Sequence, residues 1–280
     1  MAITNFLPEV WSAQLQSSLK KATVFGSTAV CNRNYEGEIR GAGSSVRIVS
    51  ISRPTVSAYT KNSTSISPEN LTDAERTLLI NQANYFAFEI DDVDLRQSVN
   101  GGALMSEAAD EAAYALADTA DQYIAGLYTG GSNQITTYQC TTSALAVTAL
   151  LNLKVKLDVA NVPQQNRYVI VTPWFHNLLL GSTLFTSVAD SGSSEGLRNG
   201  MVGRAYGMNV FQSNNCVNST GDDWIIQAGH PSALTFAEQI NSVEAFRPES
   251  AFSDALKGLH LFGAKLVRPT AIASVVASIT

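Results

Sequence analysis

The stretch ALMSEAADEAAYALADTADQYIAGLY, residues 103–128, decides how the rest of the chain is read. Leu104, Ala108, Ala112, Leu116, Ala120, Tyr123 and Leu127 recur at steps of three and four residues, the period of one helix face. At about 100° per residue, Glu107, Asp110, Glu111, Asp118 and Asp121 share a sector roughly 100° wide. No Lys or Arg stands between Arg96 and Lys154. The acidic stripe therefore forgoes the few tenths of a kcal/mol that each i,i+4 ion pair gives. The spacing predicts a long helix with one acidic side. That side reads either as a solvated face or as a surface that repels an anion or receives a basic partner. The small apolar residues let neighbouring backbone pack closely, which suits a scaffold rather than the wall of a catalytic pocket.

Upstream of this helix the pattern changes. Residues 5–22 start with Pro8 in a helix-start position and place Val10, Leu15 and Leu19 on one side with Trp11 beside them, an amphipathic helix that docks onto something. Val46, Ile48 and Ile51 then alternate with Arg47, Ser50 and Ser52, as in a strand exposed on one side. KNSTSISP, residues 61–68, is turn-rich, and 76–90 reads as a second strand carrying Leu78, Ile80, Ala83, Phe86 and Phe88. Two long strands around a polar tip make a hairpin arm, and isolated two-stranded arms are marginal in water. Such an arm belongs across another molecule.

Downstream, Leu145, Ala149, Leu153 and Leu157 predict a helix over 143–159. The apolar run 168–171 predicts a buried strand, 174–180 a short helix, and 208–212, 224–227 and 232–236 further short strands. This middle third reads as a small α/β unit. Residues 259–279 read as two strands broken by Pro269.

The 280 residues carry a net charge of −6, which argues against a nucleic-acid reader with a basic patch. Charged residues are 15% of the chain, against roughly 25% in an ordinary soluble domain. That deficit points to a surface covered by other subunits. Cys31, Cys140 and Cys216 offer no CxxC spacing and no disulfide framework, so reduced thiols are expected. The first cation of the N-terminus is Lys20, unlike a signal peptide, and the apolar runs 144–151 and 271–277 are too short to span a bilayer.

The search for chemistry comes back empty. His176, His230 and His260 lack zinc-helix spacing, and no GxSxG elbow, P-loop or redox pair occurs. Asp91, Asp92 and Asp94 lack the glycine and distal glutamate of a calcium loop. Glu107 and Asp110 could pair, but nothing on an exposed helix face would raise either pKa for acid–base work. No catalytic, cofactor-binding or metal-binding residue is expected.

The order of parts, together with four local strings, carries a resemblance. FLPEVWSAQLQSSLKKATVFGSTAVCNRNYEGEI (residues 6–39), GAGSSVRI (41–48), GMNVFQSNN (207–215) and LFGAKLVRPTAI (261–272) resemble the major capsid proteins of tailed bacteriophages. Those proteins have the Hong Kong ninety-seven type coat fold, shared with encapsulin shells. The resemblance implies an α+β fold made of an N-terminal arm (1–34), an extended β-hairpin loop (35–84), a peripheral domain with a long spine helix (85–140), an α/β axial domain (141–240) and return strands of the peripheral domain (241–280). It implies a structural subunit, not an enzyme, that self-assembles into hexamers and pentamers of an icosahedral head around double-stranded DNA contacted non-specifically. Portal, scaffolding and decoration proteins would be partners, with no membrane and no cofactor. The virion capsid would be the location, after assembly in the host bacterial cytoplasm. Trp11, Arg47, Arg53, Lys61, Glu107 and Asp110 are the expected inter-subunit contacts. Some members crosslink a loop lysine to a neighbour's asparagine; Lys61 is the only lysine of this loop, but no motif places a catalytic glutamate or an acceptor. The alternatives are an encapsulin-like nanocompartment shell and, from another class, a soluble α/β enzyme.

Overall fold

A computed structural model describes residues 23–34, 45–51, 54–66, 68–70, 73–92, 101–182, 184, 203–249 and 252–279. Strands β1 (Ser45–Ile51) and β2 (Asp73–Leu79) pair antiparallel from Ser45↔Leu79 to Ile51↔Asp73 and form the expected hairpin. The chain then breaks at Ile80 and Asn81 before β3 (Gln82–Asp91) begins. The single strand read over 76–90 is thus two strands in two sheets. β3 pairs with β11 (Ser253–Leu266), which pairs with β10 (Leu234–Phe246), all antiparallel. The period of two runs on through the break, because both halves keep one apolar side. Gly263 sits where β11 passes under the end of β2, and a Cβ there would collide with the Leu79 carbonyl. Ile48, Leu78, Ile80 and Ala237 make a small second core at this crossing.

Helix α1 (Gly101–Gly126) ends in a 3₁₀ turn, Leu127–Gly130, and leads to β4 (Asn133–Gln139), a strand in the polar stretch that periodicity does not reveal. Helix α2 (Ser143–Val159) matches its expected bounds and starts at Thr142, whose hydroxyl accepts from the Leu145 N–H at 3.4 Å. Next come β5 (Arg167–Val171), α3 (Pro173–Leu180) with Pro173 in its first turn, β6 (Arg204–Ala205) and β7 (Met208–Gln212). β8 (Asn218–Thr220), β9 (Asp223–Gly229) and, after the β10–β11 hairpin, β12 (Ile272–Ser278) complete the chain.

These strands form a mixed sheet in the order β4-β12-β9-β5-β7-β6, with β8 beside β9. The β12–β4 and β5–β7 pairs are parallel. Every residue of β5 is buried, as a strand covered on both faces requires. Helix α2 covers the sheet with Ala146, Val147, Ala149, Leu150, Leu153 and Leu157. The resemblance implies return strands of the peripheral domain over 241–280; strand pairing puts Ile272–Ser278 between β9 and β4, in one sheet with the strands of 141–240. Residues 23–34, read as part of an arm, are also core: Phe25, Val30 and Cys31 are fully buried beside Ile124 and Ala125 of α1. Gln227, buried in β9, donates to the Ala125 carbonyl at 2.7 Å and ties the end of α1 to the sheet.

Candidate functional site

The hairpin is the most exposed part of the described chain. Arg47 on β1 pairs with Glu75 on β2 at 3.1 Å, both side chains open to solvent. The tip is held by its own backbone: the Ser63 and Thr64 N–H groups donate to the Thr60 carbonyl, Asn62 takes φ +65°, and Glu69 accepts from the Thr55 N–H at 2.9 Å. Lys61 is exposed in this turn, and Val56 (94% exposed), Tyr59 and Ile66 are apolar side chains beside it. Trp11 and Arg53 lie outside the described residues.

The acidic stripe of α1 divides in two. Asp110 is exposed and Glu107 half-buried. The other end departs from expectation. Asp121 is 1% exposed and accepts from the Gly26 N–H at 3.0 Å and from Asn215 Nδ2 at 2.8 Å. Asp118 accepts from Asn215 Nδ2 at 2.8 Å and from Gln122 Nε2 at 2.8 Å. These two carboxylates tie α1 to the residue-26 turn and to the loop after β7. Burial pushes the Asp121 carboxyl above its ordinary range, against the Asn215 amide and the Gly26 N–H, which pull it down.

A cluster not legible in the sequence sits between α1 and the three-stranded sheet. Arg33 Nη2 donates to Glu238 Oε1 at 3.0 Å, and His260 Nε2 lies 3.5 Å from Glu238 Oε2. The His260 ring stacks on Phe262, and the Arg33 guanidinium lies over Phe236. The His260 hydrogen bond, with the nearby Arg33 charge, holds the Glu238 carboxyl below its ordinary range against the opposing effect of burial. Arg33, Phe236, Glu238 and His260 line a cavity of about 290 Å³ with Phe86, Leu116 and Asp121.

The remaining candidates have packing or pairing roles. Asp92, from the acidic cluster before α1, pairs with Arg247 beyond β10. Burial pushes the thiols of Cys31 and Cys216 up to about 12 and that of Cys140 to about 11, so none is poised as a nucleophile. Burial lowers the pKa of His176 and of His230. Among the described residues no group of three or more His, Cys, Asp or Glu could hold a metal ion, and no helix is long and apolar enough to cross a membrane.

Comparison with known proteins places this geometry. The model of a phage capsid protein family matches residues 75–275. A solved structure from Mycobacterium phage Che8 is 33% identical, with a TM-score of 0.85 and 98% of each chain covered. The capsid of cyanophage P-SCSP1u (18% identity, TM-score 0.78, 99% of this chain and 94% of that one) and the mature capsid of bacteriophage PhiM1 (14%, 0.77, 97% and 92%) share the fold. No curated protein matches the sequence.

Proposed function

The chain belongs to the phage capsid protein family, as a structural major capsid protein of a tailed phage, and we propose that its copies close into hexamers and pentamers of an icosahedral head around double-stranded DNA. Assembly in the host cytoplasm, help from scaffolding and portal proteins, a covering decoration protein and the lack of any catalytic role belong to the same reading.

The hairpin carries it. A two-stranded ribbon with Val56, Tyr59 and Ile66 in solvent gains little by standing alone, and gains much when a second copy covers it. In this reading the hairpin lies over a neighbour's α1, where Arg47, Arg53 and Lys61 come up against the Glu107 and Asp110 side of that helix. Trp11 anchors the N-terminal arm on the adjoining subunit. The arm then comprises 1–22, the loop 35–84, and the axial domain 141–240 with β4 and β12 added.

The test is light scattering with negative-stain microscopy on the full chain produced alongside the other head proteins, repeated after deleting 1–22. Deleting 1–34 would remove Phe25 and Val30 from the core and confound the result. Closed shells tens of nanometres across, lost on deletion, are the expected outcome. A full-length chain that stays monomeric with its head proteins present overturns the reading.

A further inference from the structure

The outward side of α2 does not follow the logic of its inner side. Leu151, Val155 and Val159 recur every fourth residue, so they form one stripe along the solvent face, and their exposure rises from 37% through 55% to 77% toward the helix end. Singly such residues need no explanation; three in line with rising exposure make a patch.

At that same end the stripe meets positive charge. A cavity of about 320 Å³ is lined by Lys154, Gln164, Gln165, Arg167, Arg204 and Tyr206. Arg167 is 2% exposed and fully engaged: Nε donates to the Pro163 carbonyl, Nη2 to the Val162 carbonyl at 2.6 Å, and Nη1 to Asp158 at 2.6 Å. Asp158 is therefore committed to Arg167, and Lys154 reaches it only at 3.9 Å. Arg204 is exposed, and its bond to the Gly207 carbonyl is long at 3.4 Å. Among the described residues, three cations thus face one carboxylate at the rim of an apolar stripe.

The complement lies on the same molecule but out of reach. Asp222 is exposed and Asp223 half-buried in the β8–β9 turn, where Gly221 takes φ +58°. Among the described residues neither has an ion-pair partner. β5 and β9 run antiparallel with Tyr168 opposite Gly229, so Arg167 and Asp223 mark opposite ends of the sheet. The rise of ~3.3 Å per residue over β9 separates them by roughly 20 Å. That is more than twice the screening length of about 8 Å at physiological salt, so the two patches do not neutralise each other within one chain. Beside the acidic turn, Ile279 is 40% exposed next to Ser278, which pairs with Asp223.

We propose that these two ends of the sheet are the two halves of one contact between neighbouring copies, with the Asp222–Asp223 turn of one chain seated at the Lys154–Arg204 rim of the next and the Leu151–Val155–Val159 stripe covered between them. Two different patches on opposite ends of a subunit give a head-to-tail contact, the kind that closes rings. The stripe supplies the apolar centre and the charges supply a rim that sets register and rejects wrong partners. The inference rests on the capsid reading, since it needs a ring of copies.

The test uses the full chain, produced with its head proteins, in five forms: unmodified, Lys154→Glu with Arg204→Glu, Asp222→Lys with Asp223→Lys, all four changes together, and Arg204→Cys with Asp222→Cys. The native thiols are buried and do not compete for crosslinking. Each two-site reversal is expected to lower the yield of assembled particles by roughly tenfold or more, and the four-site swap to restore most of it. Melting temperature checks folding, and these side chains are open enough for it to stay put. The two-cysteine form is expected to give an intermolecular disulfide ladder on a non-reducing gel. Full assembly by either reversal, a swap no better than its parts, or no ladder overturns this contact while leaving the capsid reading intact. An unmodified chain that forms no particles overturns the capsid reading and this contact with it.

Discussion

The seven-stranded sheet and the β1–β2 hairpin are built from similar alternating strands but hold together for different reasons. The sheet buries β5 completely, and α2 seals it with Leu150, Leu153 and Leu157, each without exposed area. The hairpin buries Ile48 and Leu78 only where it crosses β11, and its far end keeps Val56 and Ile66 in solvent. Stability in the first is internal to the chain. In the second, cross-strand pairs give a few tenths of a kcal/mol each, and in the proposed assembly the hydrophobic gain comes from a second molecule. One chain thus holds a self-sufficient unit and a dependent one.

The strongest way to break that contrast is to open the self-sufficient part. Leu150→Ala removes a fully buried side chain under α2 and should cost about 2–5 kcal/mol, read as a lower midpoint in denaturant unfolding. A cost below 1 kcal/mol would mean that the sheet unit does not stabilise the fold. Asp121→Ala comes next, at about 3 kcal/mol, because it strands the Gly26 N–H and one donor of Asn215 in the interior. Denaturant titration of the full-length variant checks it.

Acidity sharpens the comparison further. The folded state raises the Asp121 pKa, so Asp121 favours folding when protonated: its contribution is present below the ordinary carboxylate pKa and is lost as pH rises through the raised value. Glu238 has the opposite sign: its lowered pKa gives stability above the ordinary value that is lost as pH falls through the lowered one. Asp121→Asn should flatten the first slope and Glu238→Gln the second, in melting curves taken from pH 3 to 7. A slope unchanged in its own variant would refute the assignment.

The smallest effects on the monomer belong to the hairpin. Val56→Ser and Ile66→Ser together should move stability by under ~0.5 kcal/mol, and Arg47→Ala by under ~1 kcal/mol, since its pair with Glu75 is exposed. The same changes should sharply reduce particle yield in electron microscopy. Unaltered particles from the Val56→Ser and Ile66→Ser chain would show that the tip carries no contact.

Much of this was legible locally. The four-residue recurrence of Leu145, Ala149, Leu153 and Leu157 gave α2 its bounds, and alternation around the KNSTSISP turn gave the hairpin. The misreadings share one cause. Asp121 sits on the same helical period as Asp110, yet its burial depends on Asn215, 94 residues away, and on Gly26, 95 residues away. The Arg33–Glu238 pair spans 205 residues. β2 and β3 keep one alternating pattern, and only their different partners, β1 and β11, divide them.

The sequence by itself determined α1, α2, the buried strand β5, the hairpin turn, and that the chain is short of charge, because periodicity and turn chemistry act over a few residues. Only the tertiary structure decided that β12 lies between β9 and β4, that residues 23–34 are core, and which acids of α1 are anchors and which remain open. Those outcomes depend on groups far apart in the chain that meet only when the fold closes.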